Sequence, residues 1–151
     1  MKCLPQNGDD LGTRMFNALY EQSHLGAEQM ICAGSDIPEL SYEILESSFK
    51  SLDSFQAVLG PAIDGGYYLI GFRKEALDSF FFIDIPWSSE SVFSKTMDLM
   101  LARNMTCAVL PELRDLDDAE DLFFFRSLFS ESPGICPELA KLVCSMEFNY
   151  E

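Results

Sequence analysis

Residues 57–72 constrain the fold more than any other stretch of this chain. Two apolar runs, Ala57-Val58-Leu59 and Tyr67-Tyr68-Leu69-Ile70, flank a polar turn that carries Asp64, Gly65 and Gly66. Two such runs so close together predict two buried strands meeting at that turn. Asp-Gly is a strong hairpin signal in its own right. In open α/β sheets ligands bind beside strand ends of this kind, and glycine lets the backbone approach a ligand closely. The turn therefore has two readings, a structural hairpin tip or the wall of a site. Gly60-Pro61 and Gly71 on either side add weight to the second.

The surrounding pattern extends the same architecture. Leu11, Met15, Phe16 and Leu19 recur at helical spacing, so residues 9–25 predict a helix that Gly26 stops. Residues 29–33 form a short apolar run ending at Gly34, which reads as a buried strand. Ser41 caps a helix to about residue 52, and residues 55–60 and 66–72 supply the two strands already noted. Residues 74–80 read as a short helix. Ser88 or Ser89 caps a longer one to about residue 104, with Val92, Phe93, Thr96, Met97 and Met100 on one face. Residues 105–110 predict a strand. Asp117 with Glu120 forms a capping pattern ahead of 122–129, and Pro137 opens a last helix through Met146. Helices alternating with near-continuous apolar strands favour an α/β layered sheet covered on both faces. No Gly-rich phosphate loop is present.

Charge narrows the partners. Twenty-five Asp and Glu against ten Lys and Arg give a formal net charge of −15, which argues against nucleic acid and anionic membrane surfaces. If the ligand is a phosphate, a metal ion has to stand between it and these carboxylates. The cysteines at 3, 32, 107, 136 and 144 form no C-x-x-C pair, so zinc-site spacing is absent, and their usage suits a reducing cytoplasm. Cys32 and Cys107 read as small core residues. No apolar stretch approaches the length that spans a bilayer.

Four groups of residues could carry chemistry. Asp36, with Ser35 before it, follows the 29–33 strand. A carboxylate there is placed to hold Mg²⁺ or Mn²⁺, hard ions that take oxygen ligands and bridge substrate phosphates; shaping the turn is the alternative. Residues 114–121 hold five acids in eight positions. Asp117 is explained there as a helix cap, while Asp115 has no such role and is the metal or substrate candidate. Arg14, one turn into the first helix, could hold a phosphate or carboxylate bidentately, or lie solvated on the surface. Trp87, the only tryptophan, could stack on a ligand or simply pack. His24, the only histidine, reads as a surface or cap residue. No Ser, Cys or His arrangement suggests a catalytic triad.

Taken in order, five motifs resemble a known family. They are Asp10-Leu11-Gly12 with Arg14-Met15, Gly34-Ser35-Asp36-Ile37-Pro38-Glu39-Leu40, Gly60-Pro61-Ala62 with Asp64 to Gly71, Trp87-Ser88 with Thr96, and Leu113 with Asp115-Leu116-Asp117 and Glu120-Asp121-Leu122. Together they resemble the bacterial DUF2064-type, or arsenosugar-biosynthesis-type, glycosyltransferases. The resemblance implies a three-layer α/β/α sandwich of the GT-A class, a Rossmann-like nucleotide-diphospho-sugar transferase fold. It implies metal-assisted transfer from a nucleotide-sugar donor to an acceptor. Asp36 matches the metal-binding Asp of related folds, with Asp115 close to the same cleft. Asp64, Gly65 and Gly66 line the sugar or acceptor pocket, and Ser35, Tyr67, Trp87, Ser88 and Arg14 join them as substrate contacts. The chain departs from the pattern in two places. It lacks the first strand and the Lys-Thr-Arg-Leu-type nucleotide loop, and Asp118-Ala119 stands where the family has Thr-Pro. One domain over 1–151, N-terminally truncated, is therefore expected, with a homodimer covering the uncovered sheet edge. A non-catalytic oligomerising remnant of the fold and a nucleotidyltransferase are the alternative functions.

Overall fold

The computed structural model describes residues 3–146, so the expected span of 1–151 reaches beyond it at both ends. The chain begins with helix α1 (Leu11–His24), strand β1 (Gln29–Ala33) and helix α2 (Tyr42–Leu52). Strands β2 (Ala57–Pro61) and β3 (Tyr67–Arg73) follow, then two short 3₁₀ turns (Lys74–Ala76 and Ser79–Phe82). Helix α3 (Val92–Ala102), strand β4 (Cys107–Val109) and helices α4 (Ala119–Glu131) and α5 (Pro137–Ser145) complete it.

Helix starts follow local side-chain chemistry. Asp10 accepts the Thr13 N–H at 2.7 Å and caps α1, and Ser41 accepts the Ile44 N–H at 3.4 Å and caps α2. Each satisfies a donor that the helix leaves unpaired. Three expectations are corrected here. The helix expected over 74–80 is two 3₁₀ turns, because Leu77 adopts an extended conformation between them. Helix α3 is preceded by Ser91 rather than capped by Ser88 or Ser89, since Ser88 turns into the left-handed region (φ 66°) and interrupts the helical path. The cap of α4 is Asp118, not Asp117. Asp118 accepts from Glu120 and Asp121, and Asp121 answers to the Asp118 N–H in a capping box.

The sheet has four strands in the order β1-β3-β2-β4. β3 runs antiparallel to both β1 and β2, while β2 and β4 run parallel. The paired strands 57–61 and 67–73 form the predicted hairpin, and among the described residues the sheet has no gap, with β1 and β4 at its edges. β2 is buried along its whole length. Burying a side chain such as Leu59 contributes on the order of 2 kcal/mol.

Two clusters cover the two faces. Leu19 of α1 and Met100 of α3 pack with Leu59, Ile70, Phe72, Phe81 and Phe82 on one side. Leu52, Ile44 and Leu45 of α2 pack with Val58 and Leu69 on the other. The result is the expected three-layer α/β/α arrangement. Helices α4 and α5 share a small cluster of their own around Phe125, Phe129, Ala140 and Val143. A β-bulge interrupts the β2–β3 pairing. Gly60 pairs with Leu69 but Pro61 pairs with Tyr67, so β3 carries one extra residue, Tyr68. Tyr68 and Leu69 consequently both join the α2-side cluster, while Tyr67 packs on the α1 side. Bulges of this kind commonly re-aim side chains beside binding sites.

Candidate functional site

Three loops meet at one end of the sheet. The segment after β1 carries Ser35 and Asp36, the β2–β3 turn carries Asp64, and the segment after β4 carries Asp115 and Asp117. Backbone hydrogen bonds tie them together. Leu116 N–H donates to the Asp36 carbonyl at 2.9 Å, and Ile63 N–H donates to the Leu113 carbonyl at 3.1 Å. A parallel bridge between Ala62 and Leu113 completes the join. The Tyr68 hydroxyl donates to the Pro111 carbonyl at 3.0 Å and fixes the last segment against the sheet.

These loops border a cleft of about 700 Å³, a volume suited to a small-molecule ligand. Asp36, Asp64, Asp115, Ser35, Gly66, Tyr67, Trp87 and Ser88 all line it. Two predicted site residues do not. Arg14 donates through Nε to the Gly8 carbonyl at 3.0 Å and borders a separate cavity of about 630 Å³ along the β1 edge. Gly65 serves the fold instead. Its φ of +87° and the Glu90 backbone pressed against it leave no room for a side chain, and its carbonyl accepts the Phe93 N–H at 2.9 Å. Gly60 and Gly71 likewise make room for neighbours rather than a ligand. The Tyr68 ring occupies the space at Gly60, and Ile31 and Val58 occupy that at Gly71.

The cleft also holds residues that the motif reading gave other roles or passed over: Asp117, Glu90, Gln6, Ser89 and the apolar side chains of α1. Because Asp118 caps α4, Asp117 is left to line the cleft; the run of five acids over 114–121, more than one cap needs, is the signal for it in the sequence. Five carboxylates line the cleft, and among the described residues no Lys or Arg does. Arg114 is nearby in sequence but committed elsewhere. It bonds Asp121 at 2.6 Å and lies over the Phe124 ring. Asp121 also accepts from Asp117 N–H (3.1 Å) and Asp118 N–H (3.3 Å). Its carboxyl is held below the usual range, chiefly by Arg114.

Desolvation first, and like charge after it, act on two carboxyls of the cleft. The Asp115 carboxyl is pushed up by desolvation, then by Asp64, Asp117 and Asp121. The Asp117 carboxyl is pushed up by desolvation, then by Asp36 and Asp64. The donor set is entirely oxygen, as hard divalent cations require. Among the described residues no three His, Cys, Asp or Glu side chains are grouped to hold an ion by themselves.

The opposite side of the cleft is aromatic. The Trp87 ring meets Tyr67 edge-on at 6.2 Å. Trp87 also lies against Gly12, where a Cβ would come within 2.6 Å of the indole. The Tyr67 and Thr96 hydroxyls are buried without a hydrogen bond. Burial drives the phenol well above its ordinary range; Thr96 is close enough to oppose that in part, yet the pair falls short of hydrogen-bond geometry. Burial also pushes the Cys107 thiol up to about 12 and raises that of Cys32. The His24 Nδ1 lies 3.0 Å from the Tyr20 carbonyl at the end of α1, as a cap residue would.

The family described as an uncharacterized protein conserved in bacteria, DUF2064, matches residues 1–89. The chain belongs to the DUF2064 family. The matched region contains Asp36, Asp64, Trp87 and Ser88, while Asp115 and Asp117 lie beyond it. Among solved structures, the chain is similar to a putative nucleotide-diphospho-sugar transferase from Desulfovibrio desulfuricans G20. The two are 30% identical with a TM-score of 0.79. That match covers 95% of this DUF2064 chain and 65% of the other, so the chain spans a little under two thirds of the length of the structure it resembles. It shows the nucleotide-diphospho-sugar transferase-like fold. No curated protein matches the chain. No helix among the described residues is long and apolar enough to cross a membrane.

Proposed function

We propose that the cleft binds a nucleotide-diphospho-sugar together with Mg²⁺ or Mn²⁺ and transfers the sugar to an acceptor. The observation that carries this reading is the meeting of Asp36, Asp64, Asp115 and Asp117 from three separate loops in one cleft, which among the described residues no Lys or Arg lines. An anionic diphosphate and this wall repel each other unless a cation lies between them. The name of the solved relative points to the same donor class.

In the proposed reaction the bond from the sugar's anomeric carbon to the diphosphate oxygen breaks, and a bond to the acceptor oxygen forms. The nucleoside diphosphate leaves, and the acceptor proton passes to a base. A bound divalent cation would neutralise the charge that develops on the leaving diphosphate. Asp36 and Asp115 would hold the cation, and Asp117 would add charge beside them. Asp64 is the base. Its carboxylate is already oriented by the Gly66 N–H at 2.8 Å, and it faces the same cleft. Ser35 and Ser88 offer hydroxyls to the sugar and phosphates.

Calorimetric titration with UDP- or GDP-sugars in Mn²⁺ tests the reading. Binding that needs the metal and is lost in Asp36→Ala and Asp115→Ala supports it. No binding, or variants that bind like wild type, sinks it. Pyrophosphate release from a nucleoside triphosphate would replace it with a nucleotidyltransferase reading.

A further inference from the structure

The cleft is chemically two-sided. Four of its five carboxylates come from the three loops at the end of the sheet and the fifth, Glu90, from the segment before α3, whereas Leu11 and Met15 of α1, Tyr67 and Ile70 of β3, Trp87 and Val92 supply its apolar surface. Most of these belong to or pack against the core beneath α1 and α3, so their apolar character has a structural cause. Leu11 does not. It is 48% exposed, sits in the first turn of α1, and still lines the cleft. Exposed leucines are ordinary on a protein surface; this one counts because it lies inside the cleft, beside Met15 and Trp87, where a ligand can cover all three. Trp87 and Tyr67 add aromatic surface next to it, both half-buried, in an edge-on pair that keeps the indole in place.

We infer that the acceptor carries its reacting hydroxyl on an apolar or aromatic ring, which packs on Leu11, Met15 and Trp87 while the hydroxyl points toward Asp64. The assignment of the ring to an acceptor rests on the transfer reading above; the apolar subsite itself does not. A small polyol would leave Leu11 in water and gain nothing from this side of the cleft. A ring of five or six carbons buries it and gains from every apolar contact. One cavity then holds both requirements of the transfer, a cation-dependent end for the diphosphate and a dry end that keeps water from competing with the acceptor.

Because Trp87 is the only tryptophan, its fluorescence reports on this cleft alone. The experiment titrates the full chain with 2-phenylethanol and, separately, with glycerol, following Trp87 emission. Saturable binding of 2-phenylethanol but not glycerol is expected. Leu11→Ser should weaken it roughly tenfold, the low end of what a single methylene provides in an apolar pocket. Leu11 is exposed, so the variant should fold. Leu101→Ser, at an exposed leucine of α3 that does not line the cleft, should leave binding unchanged. No saturation by 2-phenylethanol, or equal affinity in Leu11→Ser and wild type, overturns the inference. A parallel calorimetric titration with UDP and Mn²⁺ judges the transfer reading by itself. UDP binding without ring binding overturns only the ring subsite. Ring binding without UDP binding keeps the apolar subsite and removes its role as an acceptor site.

Discussion

Leu116 donates its backbone N–H to the carbonyl oxygen of Asp36 at 2.9 Å, joining loops that lie 80 residues apart in sequence. The bond sits between the two residues proposed to hold the cation and sets the spacing of their loops. Leu116→Pro removes the donor. The lost bond costs about 1 kcal/mol of stability, but the effect on metal affinity should be larger, roughly tenfold, because both carboxylate loops lose their register. Mn²⁺ titration beside thermal unfolding separates the two effects. Unchanged affinity at lowered stability would show that the bond supports the fold only.

The crowded carboxylates lead to a second expectation. Asp115 and Asp117 both titrate above the ordinary range, and like charge is part of the cause. A carboxylate disfavoured in its charged form costs stability at neutral pH. Asp117→Asn should therefore raise the melting temperature in EDTA. The same change should shrink the gain in melting temperature that Mn²⁺ gives the wild type, since less repulsion is left for a cation to relieve. A melting temperature that falls in EDTA would mean that Asp117 makes a stabilising contact instead.

Much of this arrangement could be read before any coordinates, and the parts that could not have a common cause. The runs 57–59 and 67–70 are buried strands because a sheet covered on both faces needs continuous apolar residues. Asp10 and Ser41 cap helices because capping is local. Asp36, Asp64 and Asp115 do share a cleft. The errors arise where tertiary register decides. Asp117 and Asp118 stand side by side and either could cap α4; the tie of Leu116 to Asp36 leaves Asp117 in the cleft and Asp118 at the helix. Gly60 and Gly71 resembled ligand contacts, but cross-strand pairing fills their space with Tyr68, Ile31 and Val58. The bulge at Tyr68 that gives Tyr67 to the α1 side has no local signature at all.

Asp121 should dominate the acid limb of stability in this region. Its folded-state carboxyl titrates below the ordinary carboxylate range, held there first by Arg114 and supported by the N–H groups of Asp117 and Asp118. A depressed carboxyl contributes stability that is fully present above its unfolded value and is lost as pH falls through the folded one. Asp121→Asn keeps the shape but loses the charge-assisted bonds, so it should cost about 2 kcal/mol at pH 7. The difference from wild type should narrow below pH 4. Urea unfolding across pH 2.5 to 7 measures both curves. A constant gap at all pH values would remove Arg114 and Asp121 as the cause.

Gly65 offers the sharpest test of which glycines serve the site and which serve the fold. Its φ of +87° strains any other residue, and a Cβ there would collide with the Glu90 backbone, which has no flexible end to move aside. Gly65→Ala should therefore destabilise the protein by about 1–3 kcal/mol and loosen the start of α3, where Phe93 bonds the Gly65 carbonyl. Gly66 is tight but yielding: a Cβ there would come 3.0 Å from the Asp64 carboxylate, a side-chain group that can shift by a few tenths of an ångström. Gly66→Ala should thus cost little stability but disturb Asp64, and so lower transfer or ligand affinity at nearly wild-type melting temperature. Hydrogen exchange at residues 92–95 would follow the first variant and ligand titration the second. If Gly65→Ala melts like wild type while losing ligand affinity, Gly65 belongs to the site after all, and the division between the two glycines fails.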